Sequence, residues 1–140
     1  MNKNGVLALL SLLVLVVVMA ESKKERYEAL KQPCRITEAD DSNPKNSASA
    51  TKIKPPKLLK REIPKSSNGC SMHGTMEFEL VVNTKCEVTC VRLVSNNGET
   101  EDCALKYAET LRTWVYEPAT TSEGVPIAVY NNTKITTKRN

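Results

Sequence analysis

The stretch that decides the fold is Thr75–Val82, which reads TMEFELVV. Its apolar side chains fall at every second position: Met76, Phe78, Leu80 and Val82. Glu77 and Glu79 fall between them, so one face of the stretch is apolar and the other is charged. A period of two is typical of a strand with one face in the core. The stretch therefore predicts a half-buried β-strand.

A second strand is predicted immediately afterwards, over Glu87–Val94, where Val91 and Leu93 continue the alternation. Residues 83–85 read NTK and are typical of a turn. Two strands joined across so short a turn form an antiparallel hairpin.

A helix is predicted next, over Glu101–Thr113, because Leu105, Ala108 and Leu111 recur at helical spacing. Acidic residues at its start suit the positive end of a helix dipole. Pro118 prevents the helix from continuing, since proline has no backbone N–H and clashes with the preceding turn.

The third predicted strand covers Val125–Ile135, and Pro126 places its start at a sheet edge because proline cannot donate to a neighbour. Residues 63–140 are therefore expected to form a small α+β domain of β-β-α-β order. Its three-stranded antiparallel sheet would be packed by one helix, with Phe78 and Trp114 as large core side chains. An open sheet edge is a place where another chain can add a strand.

The first twenty residues are typical of a secretory signal peptide. Lys3 precedes an apolar run from Gly5 to Ala20 that only Ser11 interrupts, and cleavage would follow Ala20. The alternative is an uncleaved signal anchor, because a membrane span needs at least about 17 apolar residues and this run is close to that limit. Either interpretation places residues 21–140 outside the cytoplasm.

Residues 21–62 are rich in proline and lysine and poor in large apolar side chains. Such a segment cannot bury enough apolar surface to offset the entropy of ordering, so it predicts a disordered linker. The basic run from Lys52 to Arg61 is interpreted as a solvated spacer, with contact to anionic lipid or an acidic partner as the alternative.

The net charge of +4 belongs mainly to this linker, because residues 66–140 hold nine acidic against seven basic side chains. Nucleic-acid binding needs basic residues concentrated on the folded part, so nucleic acid is not expected as a partner. A domain of this size buries only about 60% of its unfolded surface and leaves little room for a deep cleft. Neither an enzyme nor a cofactor is expected.

Five cysteines in an exported chain predict disulfides, with one thiol left over. Cys70 precedes the first strand of the hairpin and Cys103 follows the second, so both lie at the same end and their pairing is favoured. Cys86 and Cys90 leave other pairings open. Cys34, in the predicted linker, is the candidate for an intermolecular bond and hence a homodimer.

A zinc site is the alternative use of these side chains, since Cys70, His73, Cys86 and Cys90 are all potential ligands. Oxidised cysteines are the simpler state in an exported protein, so no metal is expected. His73 has no nucleophile and acid arranged with it in the sequence, and it is expected to be an exposed residue before the first strand.

Two motifs resemble the C-terminal domain of the TonB energy transducers. The hairpin residues from Gly74 to Leu93 are similar to the family pattern G-x-V-x-x-x-F-x-V followed by a second strand. After the helix, WVYEPA at residues 114–119 is similar to the family's W-x-[FY]-x-P-[AG], and Ile63-Pro64 lies ten residues before the glycine, where the family has Tyr-Pro. The matching positions are Pro64, Gly74, Trp114, Tyr116 and Pro118.

The resemblance implies a periplasmic module of TonB-dependent transmembrane transport. An extended segment of an outer-membrane receptor would add as a strand beside the last strand of the sheet, and an inner-membrane ExbB–ExbD complex would supply force through the N-terminal anchor. The residues matching the family's binding strand are Ile127, Ala128, Val129, Tyr130, Asn131, Asn132 and Thr133.

The chain departs from the family pattern at three positions. No histidine lies one helical turn from Ser11, Ile63 replaces the usual tyrosine, and Cys86 occupies a turn position where the family has glycine. A binding module is therefore a firmer expectation than energy transduction. The alternative is a small disulfide-stapled exported protein with a structural or inhibitory role.

Overall fold

The computed structural model describes residues 22–41 and 52–138, which form an α+β fold with antiparallel sheets. In chain order the elements are α1 (residues 22–30), β1 (Ile53–Lys54), β2 (Lys57–Lys60), β3 (Thr75–Val82), β4 (Val88–Asn97), α2 (Glu101–Leu111), β5 (Val115–Glu117), β6 (Ala119–Thr121), β7 (Pro126–Ile127) and β8 (Val129–Thr136).

The main sheet has the order β4-β3-β8, with β3 in the centre and antiparallel to both neighbours. The predicted first strand is confirmed to the residue, and the second runs three residues further than predicted, to Asn97. The predicted third strand is divided at Ala128 into β7 and β8. The predicted α+β class with an antiparallel sheet is thus confirmed.

The core lies between the inner face of this sheet and α2. The side chains of Met76, Phe78 and Leu80 are fully buried, as the alternation in β3 predicts. Their counterparts on α2 are the buried residues Cys103, Ala104, Ala108 and Leu111. The helix begins where the side chain of Thr100 accepts a hydrogen bond from the backbone N–H of Cys103, which satisfies one of its unpaired donors.

Two smaller sheets, β1-β6-β7 and β2-β5, were not predicted. They connect residues 53–60 to the chain after α2, for example through the pairs Ile53↔Thr121 and Leu58↔Tyr116. Strands of two to four residues are too short to show a periodic pattern, so sequence reading could not detect them.

Helix α1 corrects the prediction that residues 21–62 form a disordered linker. Tyr27 and Leu30 are buried at 7% and 6% exposure and belong to the same core cluster as the main sheet. Spaced three residues apart, they share one face of the helix, so two apolar side chains suffice to dock it. Asn96 on β4 donates to the hydroxyl of Tyr27 at 3.3 Å, and Arg26 forms an ion pair with Glu109 on α2.

The predicted signal or anchor segment, residues 1–20, lies outside the described residues, as do residues 42–51 of the predicted linker. Within residues 22–41 and 52–138, no helix combines the length and the apolar character that crossing a membrane requires.

Candidate docking edge

Strand β8 forms one edge of the main sheet. It pairs with β3 along its whole length, from Thr136 opposite Thr75 to Val129 opposite Val82. No other strand in the described part of the chain pairs with β8. The backbone groups on its outer side are therefore available to an added strand.

The seven predicted binding residues do not all lie on this edge. Val129–Thr133 are in β8, whereas Ile127 pairs with Ala119 in the small sheet. Both Ile127 and Ala128 are buried. The structure thus divides the predicted binding strand into an edge portion of five residues and a buried portion of two.

The exposed face of β8 carries Tyr130, Asn132 and Lys134, whose side chains alternate with those on the core side. Tyr130 keeps 51% of its surface exposed. Lys134 places its Nζ 4.0 Å from the carboxylate of Glu77 on β3, and both side chains are largely exposed. A segment docked here would meet an aromatic ring, an amide and a partly neutralised ammonium group along one face.

A shallow depression of about 380 Å³ lies on the same outer face, between β8 and β4. It is lined in part by Glu79 and by Arg92, whose guanidinium lies 3.5 Å from that carboxylate. Val94 also lines it and is 51% exposed, because a β-bulge between Glu77 and Phe78 leaves this residue without a partner in register. The depression can receive alternate side chains of a segment that lies along β8.

Residues 31–41 cross the outer face of the sheet, and we call this segment the strap. Cys34 in the strap forms a disulfide with Cys90 on β4. At the opposite edge the hydroxyl of Tyr130 donates to the carbonyl of Cys34 at 3.3 Å and accepts from the N–H of Ile36 at 3.3 Å. The strap therefore links the two edge strands of the main sheet.

Asp40 fastens the end of the strap. Its carboxylate accepts hydrogen bonds from the N–H of Thr37 at 2.8 Å and from the hydroxyl of Thr89, while its carbonyl accepts from the N–H of Thr84 at 3.1 Å. Burial opposes ionisation of Asp40, but the hydrogen bonds from Thr89 and Thr37 outweigh it and lower its pKa. A buried carboxylate is thereby held in its charged form.

Asp41 lies beside the start of β8. Its side chain is almost fully buried, at 1% exposure, and Oδ2 accepts a hydrogen bond from the N–H of Ala128 at 3.2 Å. Sequence reading missed the role of the strap. The signals available were the turn-forming residues around Thr37 and two adjacent acidic residues close to a cysteine.

Both disulfides lie within the chain. The predicted pair Cys70–Cys103 is confirmed, with 4.7 Å between the Cα atoms. The prediction that Cys34 serves an intermolecular bond is wrong, because it pairs with Cys90 at a Cα separation of 5.9 Å. The alternative zinc set fails for the same reason: Cys70 and Cys90 are committed to two different disulfides.

Cys86 is the remaining thiol. It lies in the turn between β3 and β4 with a φ of 71°, in the left-handed region that favours glycine. Its carbonyl accepts a hydrogen bond from the N–H of Tyr116 at 3.2 Å, which fixes the turn against β5. The family that the chain resembles has glycine at this position, and glycine adopts this backbone conformation without strain.

The aromatic residues of the second motif are structural. Trp114 is buried, and its Nε1 donates to the carbonyl of Glu62 at 2.7 Å. Tyr116 is also buried; burial raises its pKa, and the hydrogen bond of 3.4 Å that its hydroxyl accepts from Asn131 on β8 acts against this shift. Pro118 is half-buried and separates β5 from β6. Among these residues, Tyr116 supports the docking edge from the core side through its bond with Asn131.

Gly74 explains why the first motif starts with glycine. An added Cβ would lie 2.7 Å from the backbone N of Glu99 and 2.8 Å from the carbonyl carbon of Gly98, which is too close for any side chain. The backbone of Gly74 also exchanges two hydrogen bonds with Thr137, just after β8. Pro64 is half-buried and lies in the segment between β2 and β3.

A half-buried carboxylate stabilises the same corner of the sheet. Glu99 accepts hydrogen bonds from the N–H groups of Ser71 at 2.8 Å and Met72 at 3.1 Å, and from the hydroxyl of Thr137. Burial opposes ionisation of Glu99, but the hydrogen bonds from Thr137 and Ser71 prevail and lower its pKa. The charged carboxylate holds the segment before β3 against the end of β8.

Comparisons of the chain with protein-family models, with curated proteins and with solved structures find no match. The candidate site rests on the geometry of β8 and the strap.

Proposed function

We propose that this chain is a non-enzymatic, TonB-like periplasmic binding module that docks an extended segment of an outer-membrane receptor by strand addition. The observation that carries the proposal is the edge position of β8, which pairs with β3 on one side and with no strand of the described residues on the other. The hairpin and W-x-Y-x-P-A motifs, which resemble the TonB family, support it.

Strand addition suits the chemistry of this edge. Backbone hydrogen bonds to β8 would provide affinity, and the alternate side chains of the segment would provide selectivity. On the outer face those side chains would meet Tyr130, Asn132 and Lys134. The ammonium group of Lys134 favours a segment with an acidic side chain near that position.

Coupling to an ExbB–ExbD complex is the second part of the proposal. It requires residues 1–20 to remain as a membrane anchor. Sequencing the N-terminus of the mature protein tests this: a chain that begins at Glu21 has been cleaved and cannot be attached directly to such a motor.

Site-specific photocrosslinking tests the docking edge. A photoreactive amino acid replaces Asn132 on β8, and the matched control carries it at Leu59, which is 59% exposed on β2. In bacterial cells that produce this chain together with TonB-dependent receptors, we expect an outer-membrane receptor to crosslink from position 132 and not from position 59. Equal crosslinking from both positions contradicts the proposed edge.

Val129→Pro supplies the second arm, because proline removes a backbone donor at the start of β8. The matched control is Lys138→Pro, an exposed position just beyond the strand. We expect Val129→Pro to abolish the crosslink from position 132 and Lys138→Pro to preserve it. Survival of the crosslink in a folded Val129→Pro variant places the docking site elsewhere.

A small exported protein with a structural or inhibitory role is the second candidate. The two disulfides favour it, since small exported domains often depend on such bonds for stability. Deleting the gene separates the candidates: impaired receptor-dependent uptake supports the binding module, and normal uptake together with no receptor crosslink supports the alternative.

A further inference from the structure

The strap contacts the proposed docking edge at two positions. The hydroxyl of Tyr130 exchanges hydrogen bonds with Cys34 and Ile36, and the N–H of Ala128 donates to Asp41. These contacts lie at the first residues of β8 and immediately before it. They therefore hold the end of the edge at which an added strand would begin or finish.

Val81 shows how closely the strap covers the sheet. Its side chain points to the outer face, opposite to those of Leu80 and Val82, yet it is fully buried. Its cross-strand neighbours are Cys90 on β4 and Tyr130 on β8. Both neighbours are attached to the strap, one by the disulfide and one by hydrogen bonds, so the strap closes over the valine between them.

Asp41 limits the part of the edge that an added strand can use. The N–H of Ala128 is engaged by a buried carboxylate, and an incoming strand cannot use it. Pairing along β8 is therefore confined to Val129 and the residues that follow.

The disulfide is the one covalent bond between the strap and the sheet among the described residues. The hydrogen bonds to Tyr130 are single contacts between neutral groups, which are weaker than hydrogen bonds to charged groups. Asp40 and Asp41 hold the last residues of the strap, so it is the middle of the strap, at Cys34 and Ile36 over Tyr130, that depends chiefly on the disulfide.

We propose that the strap is a redox-controlled latch on the β8 edge. With the Cys34–Cys90 bond formed, the strap holds Tyr130 and the start of β8 in place. A dithiol reductant would donate two electrons and two protons, become a disulfide itself, and leave Cys34 and Cys90 as thiols. The strap then separates from Tyr130, and the start of the edge loosens. That this changes the binding of a partner segment rests on the proposed function; the latch itself does not.

Hydrogen exchange on the full chain in detergent micelles tests the latch without any partner. Cys34→Ser/Cys90→Ser removes the bond, and Cys70→Ser/Cys103→Ser is the matched control that removes the other disulfide. In the first variant we expect the amide of Ile36 and those of residues 129–131 to exchange at least about tenfold faster, with α2 unchanged. Exchange within about twofold of the parent protein at these amides overturns the latch. Equal acceleration there in the control variant overturns it as well.

Tyr130→Phe keeps the test decisive if the serine variant does not fold. It removes the hydroxyl that bonds Cys34 and Ile36 and leaves both disulfides in place. We expect the amide of Ile36 to exchange at least about threefold faster in this variant. An unchanged rate means that the strap does not depend on Tyr130 and overturns the latch. Because no partner is present, these outcomes are independent of whether a receptor binds.

Discussion

Nε1 of Trp114 donates a hydrogen bond of 2.7 Å to the backbone carbonyl of Glu62. This contact joins the chain after α2 to the segment that leads into β3. The guanidinium of Arg61 lies over the indole ring, 5.4 Å from its centre. The tryptophan of the second motif thus fixes the end of a segment whose composition predicts a linker.

Trp114→Phe keeps an aromatic ring and removes the donor. We expect the free energy of unfolding to fall by about 1–2 kcal/mol, because the hydrogen bond from the indole is lost and the smaller ring fills less of the buried site. Urea denaturation measures the change. Glu62→Ala is the matched control, since it keeps the accepting carbonyl and removes only an exposed side chain; an equally large loss there contradicts this explanation.

Cys86→Gly should stabilise the protein. The φ of 71° at this turn disfavours a residue with a Cβ, and glycine removes that strain. We expect the free energy of unfolding to rise by about 0.5–1 kcal/mol. This value allows for the extra conformational entropy that glycine gives the unfolded chain. Cys86→Ser retains the Cβ and is the control; if it stabilises as much as glycine, the thiol rather than the backbone is responsible.

Gly74→Ala should destabilise the fold by about 3 kcal/mol, at the upper end of the range for overpacking, because backbone atoms surround the new methyl group. Gly124→Ala is the comparison. Its φ is 82°, but nothing lies within 4 Å of the added Cβ, so we expect only the conformational cost of about 1–2 kcal/mol. Thermal and urea unfolding rank the two variants, and the reverse order contradicts the close approach.

Removal of the Cys70–Cys103 bond as the double serine variant should cost about 4 kcal/mol in the chain-entropy account for a separation of 33 residues. Cys86→Ser should change stability by no more than about 0.5 kcal/mol. Mass spectrometry after digestion without reduction checks the assignment. A peptide that joins Cys86 to any other cysteine would contradict it.

Stability should fall in acid because of Glu99 and Asp40. Both have a lower pKa in the folded protein than their ordinary values of 4.5 and 3.8, so the unfolded chain binds protons more readily in this range. Their contribution is therefore complete above about pH 5 and is lost as the pH falls through the folded values. The urea midpoint, measured between pH 3 and pH 7, gives the slope of stability against pH. Glu99→Gln should flatten it and Glu123→Gln, in an exposed turn, should not; the opposite pattern would rule out the Glu99 contacts as the cause.

Much of the main sheet could be predicted because its pattern is local. The alternation in TMEFELVV fixes β3 to the residue, and the position of Cys70 and Cys103 at one end of the hairpin identifies their bond. The break in the last strand at Ala128 could not be predicted. At the break, the N–H of Ala128 donates to Asp41, a residue 87 positions earlier in the chain.

The strap was missed for a similar reason. It has no regular secondary structure over residues 33–37, and it is held by a disulfide and by bonds between side chains and backbone. Such contacts leave no periodic signal in the sequence. Composition alone predicts disorder there, because the segment has few apolar residues. Composition does not show the partners that the fold brings to Cys34 and Asp40.

The two disulfides also determine how the chain can carry tension. A pull from the N-terminal side reaches Cys34 and passes directly through the sulfur atoms to Cys90, so the 55 residues between them cannot be drawn out. Fully extended, that loop would measure about 190 Å. The second bond, from Cys70 to Cys103, overlaps the first but does not bridge Cys90 to Cys103, so residues 91–102 carry the load between them. Under load, α1, residues 91–102 between the two bonds and the chain after Cys103 can lengthen, whereas β3 and the turn that follows it can be drawn out only once a sulfur–sulfur bond has been reduced.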